Sequence, residues 1–233
     1  MKTIKIQNKG HVVLFKNAYL EIITKSNPLL SWCMFLTVII YLLYYGVRHI
    51  GFSIQFATVI FFAGLFFWTL FEYMVHRYIF HWVSSNRSIE RMTYIFHGNH
   101  HQYPRDRQRL FMPPLPSLLI ASAIFGCMYL IAGRYALLFC PGFIFGHLLH
   151  ASLHYAIHAW KPPFKWMKAL WRNHHLHHYT SVEKGFGITS TLWDHVFGTM
   201  FDLEKYKEDQ AQVKKLMFEK QPAAAIKVSA INN

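Results

Sequence analysis

Imidazoles recur along the chain at spacings that could hold metal. His76 and His81 stand five apart, and His154 and His158 four apart. His97, His100 and His101 follow the pattern i, i+3, i+4, and so do His174, His177 and His178. On a helix, residues three and four apart are neighbours on one face. Residues five apart do not align on an ideal helix. The helix is therefore expected to end or distort between His76 and His81, or the pair to straddle two sides of a site. Imidazole suits iron, zinc, copper and nickel. One ion uses about four to six ligands, so ten imidazoles are too many for one ion and match two. Soluble di-iron bundles use Glu and Glu-x-x-His. That pattern is absent here, so a di-metal site in this chain would be nearly all nitrogen. A single histidine is more often an ordinary core or surface residue, and His11, His49 and His175 read that way. Chance is a poor account of four boxes together, because unliganded neutral imidazoles beside a bilayer lose hydration without compensation.

Long apolar elements must position these boxes. The 233 residues are 53% hydrophobic and include 21 Phe, which excludes disorder and argues against a soluble domain. Residues 29–47 and 52–71 carry no charge, and each can cross a hydrocarbon core of about 30 Å as a helix. Residues 115–132 and 135–149 form a third and a shorter fourth apolar segment, with Arg134 in the tight connection between them. The expected spans are about 29–47, 52–75, 115–132 and 135–151, the last two forming a hairpin. The first apolar run begins too far from Met1 for a signal peptide and no small-residue cleavage site follows, so uncleaved spans anchor the chain. Cys33, Cys127 and Cys140 fall in apolar segments and read as small core residues, not as a disulfide framework.

The net charge of +13 follows the spans. Lys2, Lys5, Lys9, Lys16 and Lys25 precede the first span. Arg77, Arg87, Arg91, Arg105, Arg107 and Arg109 lie between the second and third. Lys161, Lys165, Lys168 and Arg172 follow the fourth. The opposite loops hold only Arg48 and Arg134. This positive-inside pattern predicts a multi-pass protein of the bacterial inner membrane or the endoplasmic reticulum, with both termini and the middle loop cytoplasmic. It also excludes nucleic acid as the partner of the basic residues. The fold expected is an all-α integral membrane protein. Four transmembrane helices would carry a cytoplasmic helical cap that holds the histidine-rich di-metal site. Residues 1–27 would be a cytoplasmic N-terminal segment, with 10–24 lying along the membrane surface. Residues 28–200 would form the membrane domain, and 201–233 a peripheral cytoplasmic tail.

The boxes H-x4-H, H-x2-HH, H-x3-H and H-x2-HH resemble those of the membrane fatty acid hydroxylase and sterol desaturase superfamily. The surrounding text is more specific. "WTLFEYMVHRYIFH" (68–81), "FHGNHHQYPRDRQRLFMPP" (96–114) and "HHLHHYTSVEKGFGITSTLWDHVFGT" (174–199) are similar to the fatty acid 2-hydroxylase branch. The resemblance covers roughly residues 28–200. It implies that His76, His81, His97, His100, His101, His154, His158, His174, His177 and His178 ligate two iron ions. Zinc can replace iron at imidazole sites during expression. It also implies an enzyme that uses O2 to hydroxylate the carbon next to the carbonyl of a fatty acyl chain, free or amide-linked as in a sphingolipid. No catalytic residue is implied beyond the metal ligands. There are departures near the third box. The family usually carries Tyr and Asp before it, where this chain has His147, His150 and Ala151. It often has a second His after it, where Ala159 follows His158. The first span leaves no room before it for the cytochrome b5 domain that yeast and animal members carry. Electrons would therefore come from a separate donor, such as cytochrome b5 or a ferredoxin with its reductase.

Orienting groups are expected around the imidazoles. Glu72, one turn before His76, sits at the end of an apolar span where a carboxylate needs a partner. Asp106, Asp194 and His150, which is i−4 from His154, are the other candidates. Because imidazole must be neutral to bind metal, activity is expected to fall below about pH 6–6.5. The alternatives are a desaturase, or a sterol or carotenoid hydroxylase, of the same superfamily. A metal transporter or sensor fits less well, since it would want polar residues within the spans.

Overall fold

The computed structural model describes the backbone of residues 3–202 and 225–227, with side chains from 6 to 202. The regular structure there is helical, apart from two three-residue strands. β1 (Thr3–Lys5) and β2 (Ala225–Lys227) pair antiparallel, with Ile4 opposite Ile226. The helices are α1 (Ala18–Ile23), α2 (Pro28–Arg48), α3 (Ile54–Met74), α4 (Arg87–Thr93) and α5 (Asn99–Gln102). They continue with α6 (Pro114–Ala132), α7 (Ala136–Ala159), α8 (Lys168–Tyr179) and α9 (Leu192–Val196). The tail expected from residue 204 onward lies outside the described residues, except for β2.

Two compact units divide the chain. One comprises Phe15–Phe71 and Phe111–Leu153; the other holds the described parts of Met1–Leu14, Glu72–Leu110 and His154–Asn233.

The first unit is apolar. Asn27 caps α2 by accepting from Leu29 N at 2.9 Å, and Pro28 fits the first helical position because its missing N–H has no partner there anyway. Phe35, Ile39, Ile144 and Leu148 are buried together, with Trp32, Phe61 and Phe145 packed against them. A Cβ on Gly64 would overlap the Phe139 carbonyl, and one on Gly142 the Phe61 carbonyl. Small residues thus let the backbones of α3 and α7 approach directly, the device membrane helices use for close packing.

Three helical stretches are long and apolar enough to cross a membrane: Pro28–Arg48, Ile54–Phe80 and Arg107–Ala159. The last is 53 residues long and contains both α6 and α7, joined by a 3-10 turn at Gly133–Tyr135. Gly133 takes φ 56°, a conformation open to glycine at little cost. The third and fourth spans expected from sequence both fall inside this stretch.

The second unit carries the histidine boxes. α3 continues without a break into a π-helical turn, Val75–Phe80, so His76 stands on the same helical run as the second apolar stretch. A second π turn, Tyr94–Gly98, leads into α5. Asn99 Nδ2 donates to the carbonyls of Tyr94 (2.9 Å) and Ile95 (2.6 Å), where the helical ladder is out of step.

Candidate metal centre

Ten imidazoles converge in two groups of five. His76, His81, His97, His101 and His177 form one; His100, His154, His158, His174 and His178 form the other. Within each group the candidate ligand atoms lie within 4.8 Å of one another. The Nε2 atoms face inward. In the first group His97 Nε2 stands 3.0 Å from that of His76 and 2.8 Å from that of His101, and His81 and His177 meet at 3.1 Å. In the second, His100 meets His154 at 2.8 Å, and His174 meets His158 at 2.9 Å and His178 at 3.0 Å. The groups adjoin: the rings of His101 and His178 stack with centroids 4.2 Å apart.

Local backbone explains this assembly. In the π turn the hydrogen bond reaches five residues along, so positions five apart come round to one side. His76 and His81, with ring centroids 5.1 Å apart, therefore join one group. The triple boxes do not act as single faces, as their spacing alone suggested. His97 and His101 go to the first group and His100 to the second; His174 and His178 go to the second and His177 to the first. Successive helical residues are about 100° apart, so i and i+4 differ by about 40° while i+3 and i+4 differ by about 100°. Each box therefore serves both groups, and they interlock.

The outer nitrogens define the tautomers. His76 Nδ1 lies 2.6 Å from the Phe186 carbonyl oxygen, and His177 Nδ1 lies 2.7 Å from that of Lys184. A carbonyl only accepts, so both Nδ1 atoms carry the proton and both Nε2 atoms present a lone pair inward. In the second group His154 Nδ1 reaches the Leu110 carbonyl only at 3.4 Å. The Nδ1 atoms of His174 and His178, and of His101 in the first group, are buried without a hydrogen-bond partner.

Two carboxylates hold the loop that supplies those carbonyls. Buried Glu72 accepts from Ile188 N (3.2 Å), Thr189 N (2.8 Å) and Thr189 Oγ1 (2.7 Å) through Oε1. Asp194, fully buried, accepts from Phe186 N (2.9 Å), Gly187 N (2.9 Å), Asn173 Nδ2 (3.1 Å) and Thr199 Oγ1 (2.7 Å). The loop needs its glycines. Gly185 has φ 73°, and a Cβ on Gly187 would overlap the Ser190 carbonyl and come within 2.9 Å of Asp194 Oδ2.

Asp106 and His150 are in neither group of five. Asp106 is buried, accepts from Val12 N at 3.3 Å and caps the turn at Gln108 N at 3.2 Å. His150 belongs to the apolar unit, edge-on to Trp68 at 5.7 Å, and to neither histidine group. His175, set aside on sequence, is buried with Nδ1 donating to the Trp171 carbonyl at 2.5 Å. Asn173, Thr189, Thr199 and the carbonyls of Lys184 and Phe186 were missed. Of these, only Phe186 and Thr189 fall in the glycine-bearing "GFGITS" text.

Electrostatics favour neutral imidazoles. Burial, reinforced by the neighbouring rings, holds His81, His97, His100, His101, His174, His177 and His178 well below the ordinary value of 6.5. Burial pushes His175 down to about 4. Neutral imidazole is the form that ligates metal.

The donor set fits metal. Imidazole nitrogens bind a first-row ion at about 2.0–2.1 Å, which puts two of them at right angles about 2.8–3.0 Å apart. The facing nitrogens here are 2.8–3.1 Å apart. Two inward lone pairs at that separation repel unless a cation or a proton lies between them.

Helices of membrane length and two interlocked groups of five imidazoles able to hold metal define a histidine-rich membrane protein. Residues 61–199 match the fatty acid hydroxylase family, and the chain belongs to it. It is 35% identical over 196 residues to the ceramide very long chain fatty acid hydroxylase of Saccharomyces cerevisiae, covering 82% of this chain and 50% of the yeast protein. It is 36% identical over 138 residues to a dihydroceramide fatty acyl 2-hydroxylase of Arabidopsis thaliana (59% of this chain, 58% of that one). It is 34% identical over 146 residues to the fatty acid 2-hydroxylase of Homo sapiens (60% and 39%). The chain spans about half the length of these curated relatives. A solved structure of full-length scs7p, with only its hydroxylase domain visible, matches with a TM-score of 0.76 at 32% identity, covering 83% of this chain and 74% of that one.

Proposed function

We propose that the protein is a membrane di-iron oxygenase that hydroxylates the carbon next to the carbonyl of a fatty acyl chain, free or amide-linked. The observation that carries this reading is the convergence of ten imidazoles into two adjoining groups of five. The names of the relatives point the same way. Two are acyl 2-hydroxylases and a third is a ceramide fatty acid hydroxylase.

Each group of five would hold one iron ion. Iron bound there supplies the O2 activation needed to attack an unactivated C–H bond, which no side chain can do. One oxygen atom enters the C–H bond. The other leaves as water, with two electrons and two protons drawn from a separate donor such as cytochrome b5 or a ferredoxin with its reductase. The chain's own residues set the stage. His76 and His177 keep their protons on Nδ1 and turn Nε2 inward. Burial keeps the rings neutral and excludes bulk water from the reacting centre.

The polar end of the substrate is set by the helices. His76 lies at the end of the second apolar stretch, and His154 and His158 at the end of the third. Four crossings with cytoplasmic termini fit the distribution of Lys and Arg. The centre would then lie at the cytoplasmic membrane surface, next to lipid headgroups. A carbon close to the polar end of a lipid would meet it, with the acyl tail in the hydrocarbon layer.

Oxygen-18 labelling tests the reaction class. Supplied with labelled O2, reductant and acyl lipid, the iron-loaded protein should place one labelled atom at the carbon next to the carbonyl. Label arriving from water, or a product with a new double bond and no added oxygen, would overturn the assignment.

A further inference from the structure

The two histidine groups differ in how they are braced. In the first, His76 and His177 each donate through Nδ1 to a loop carbonyl, at 2.6 and 2.7 Å. Those carbonyls belong to Phe186 and Lys184, in the segment whose amides at residues 186–189 are held by Asp194 and Glu72. In the second group His154 Nδ1 lies 3.4 Å from the Leu110 carbonyl, and the Nδ1 atoms of His174 and His178 are buried without a hydrogen-bond partner among the described residues. The first group has one such atom, on His101.

This difference bears directly on metal affinity. A neutral imidazole that ligates through Nε2 must carry its proton on Nδ1. Where a carbonyl receives that proton, the binding tautomer is already selected and the ring is fixed before metal arrives. Where the buried Nδ1 has no acceptor, as at His174 and His178 among the described residues, the binding tautomer leaves a donor unsatisfied.

Building on the metal-centre reading above, we propose that the two sites bind metal unequally. The first group binds tightly because the 184–189 loop, held by Glu72 and Asp194, pre-orients His76 and His177. The second group binds weakly and exchanges its ion. Glu72 and Asp194 are thus positioning residues for one site of the pair. They act through the peptide groups of the loop.

Metal-free protein in detergent is titrated with Zn(II) against a chromophoric chelator, and with Co(II) followed by its visible spectrum. Two ions should bind with dissociation constants at least tenfold apart. His174→Ala should abolish the weaker step and leave the spectrum of the first Co(II) equivalent unchanged; His177→Ala should alter that first spectrum. Glu72→Gln and Asp194→Asn should weaken the tight step by about 10- to 100-fold, the usual effect of losing an outer-shell partner, and leave the weak step within about threefold. Thr189→Val, which removes the 2.7 Å hydroxyl contact to Glu72, should shift the tight step in the same direction by less. That milder variant keeps the test decisive if Glu72→Gln fails to fold. A single affinity class, or Thr189→Val and the carboxylate variants weakening both steps alike, would overturn the inference while leaving the metal centre intact. No metal uptake by the folded wild-type protein would overturn both.

Discussion

His76 donates its Nδ1 proton to the carbonyl oxygen of Phe186 across 2.6 Å, joining the end of a membrane-length helix to a loop 110 residues further along the chain. The amide of Phe186 is itself held by Asp194 at 2.9 Å. One peptide unit on either side of Phe186 thus connects a buried carboxylate to an inward-facing imidazole.

Asp194→Ala removes the acceptor of four hydrogen bonds and strands the amides of Phe186 and Gly187 in a dry interior. Each stranded donor costs about 1–3 kcal/mol. The metal-free variant should lose at least about 2 kcal/mol of stability in denaturant unfolding. An unchanged unfolding midpoint would show that the loop is held by other contacts.

Gly187→Ala tests the loop without touching a titratable group. The added methyl would overlap the Ser190 carbonyl and crowd Asp194 Oδ2 at 2.9 Å, so the loop must move. Overpacking of this kind costs about 1–3 kcal/mol. The variant should retain less metal after dialysis than wild type, as read by elemental analysis. Retention equal to that of wild type would contradict the role given to this loop.

In the apolar unit, Gly142→Ala should destabilise by a similar amount, because its methyl would meet the Phe61 backbone, which cannot rotate away. Gly126→Ala is the control: nothing lies within 4 Å of its added Cβ, and alanine is the better helix former by about 1 kcal/mol. Thermal scans in one detergent should separate the two variants. Equal midpoints would contradict the close approach of α3 and α7.

Acid should unfold the metal-free protein from below neutrality. In the folded chain His97, His101, His174 and His177 resist protonation well below 6.5, and His175 does so down to about 4. In the unfolded chain the same rings take up protons near 6.5. Between these limits the unfolded state binds more protons, so stability rises with pH. Unfolding midpoints should therefore climb from about pH 4 to about pH 6.5 and level off above. Midpoints that fall over this range would contradict buried neutral imidazoles.

Much of this was legible in the residues. Uncharged runs of membrane length show at 29–47 and 52–71, and the histidine boxes stand out by spacing. The misfit of His76 with His81 announced a helical distortion, and the structure resolves it as a π turn. The sharing of each triple box between two groups was less visible. It follows from the angle between i+3 and i+4, but only once two centres are known to flank the helix. Glu72 could be singled out as a costly carboxylate at the end of an apolar span, and Asp194 as a candidate orienting group beyond the fourth box. That they reach imidazoles through a loop backbone could not, because carbonyl and amide groups are common to every residue and leave no mark in a sequence.

The central claim, 2-hydroxylation at the histidine centre, is tested most directly by acyl-chain mass spectrometry. Lipids are compared from a host expressing this chain and from one expressing His177→Ala, both supplied with iron and a working reductant. The expected result is acyl chains heavier by one oxygen, located next to the carbonyl, with the intact chain alone. Unmodified lipids in both hosts, with folded and iron-loaded protein, would contradict it.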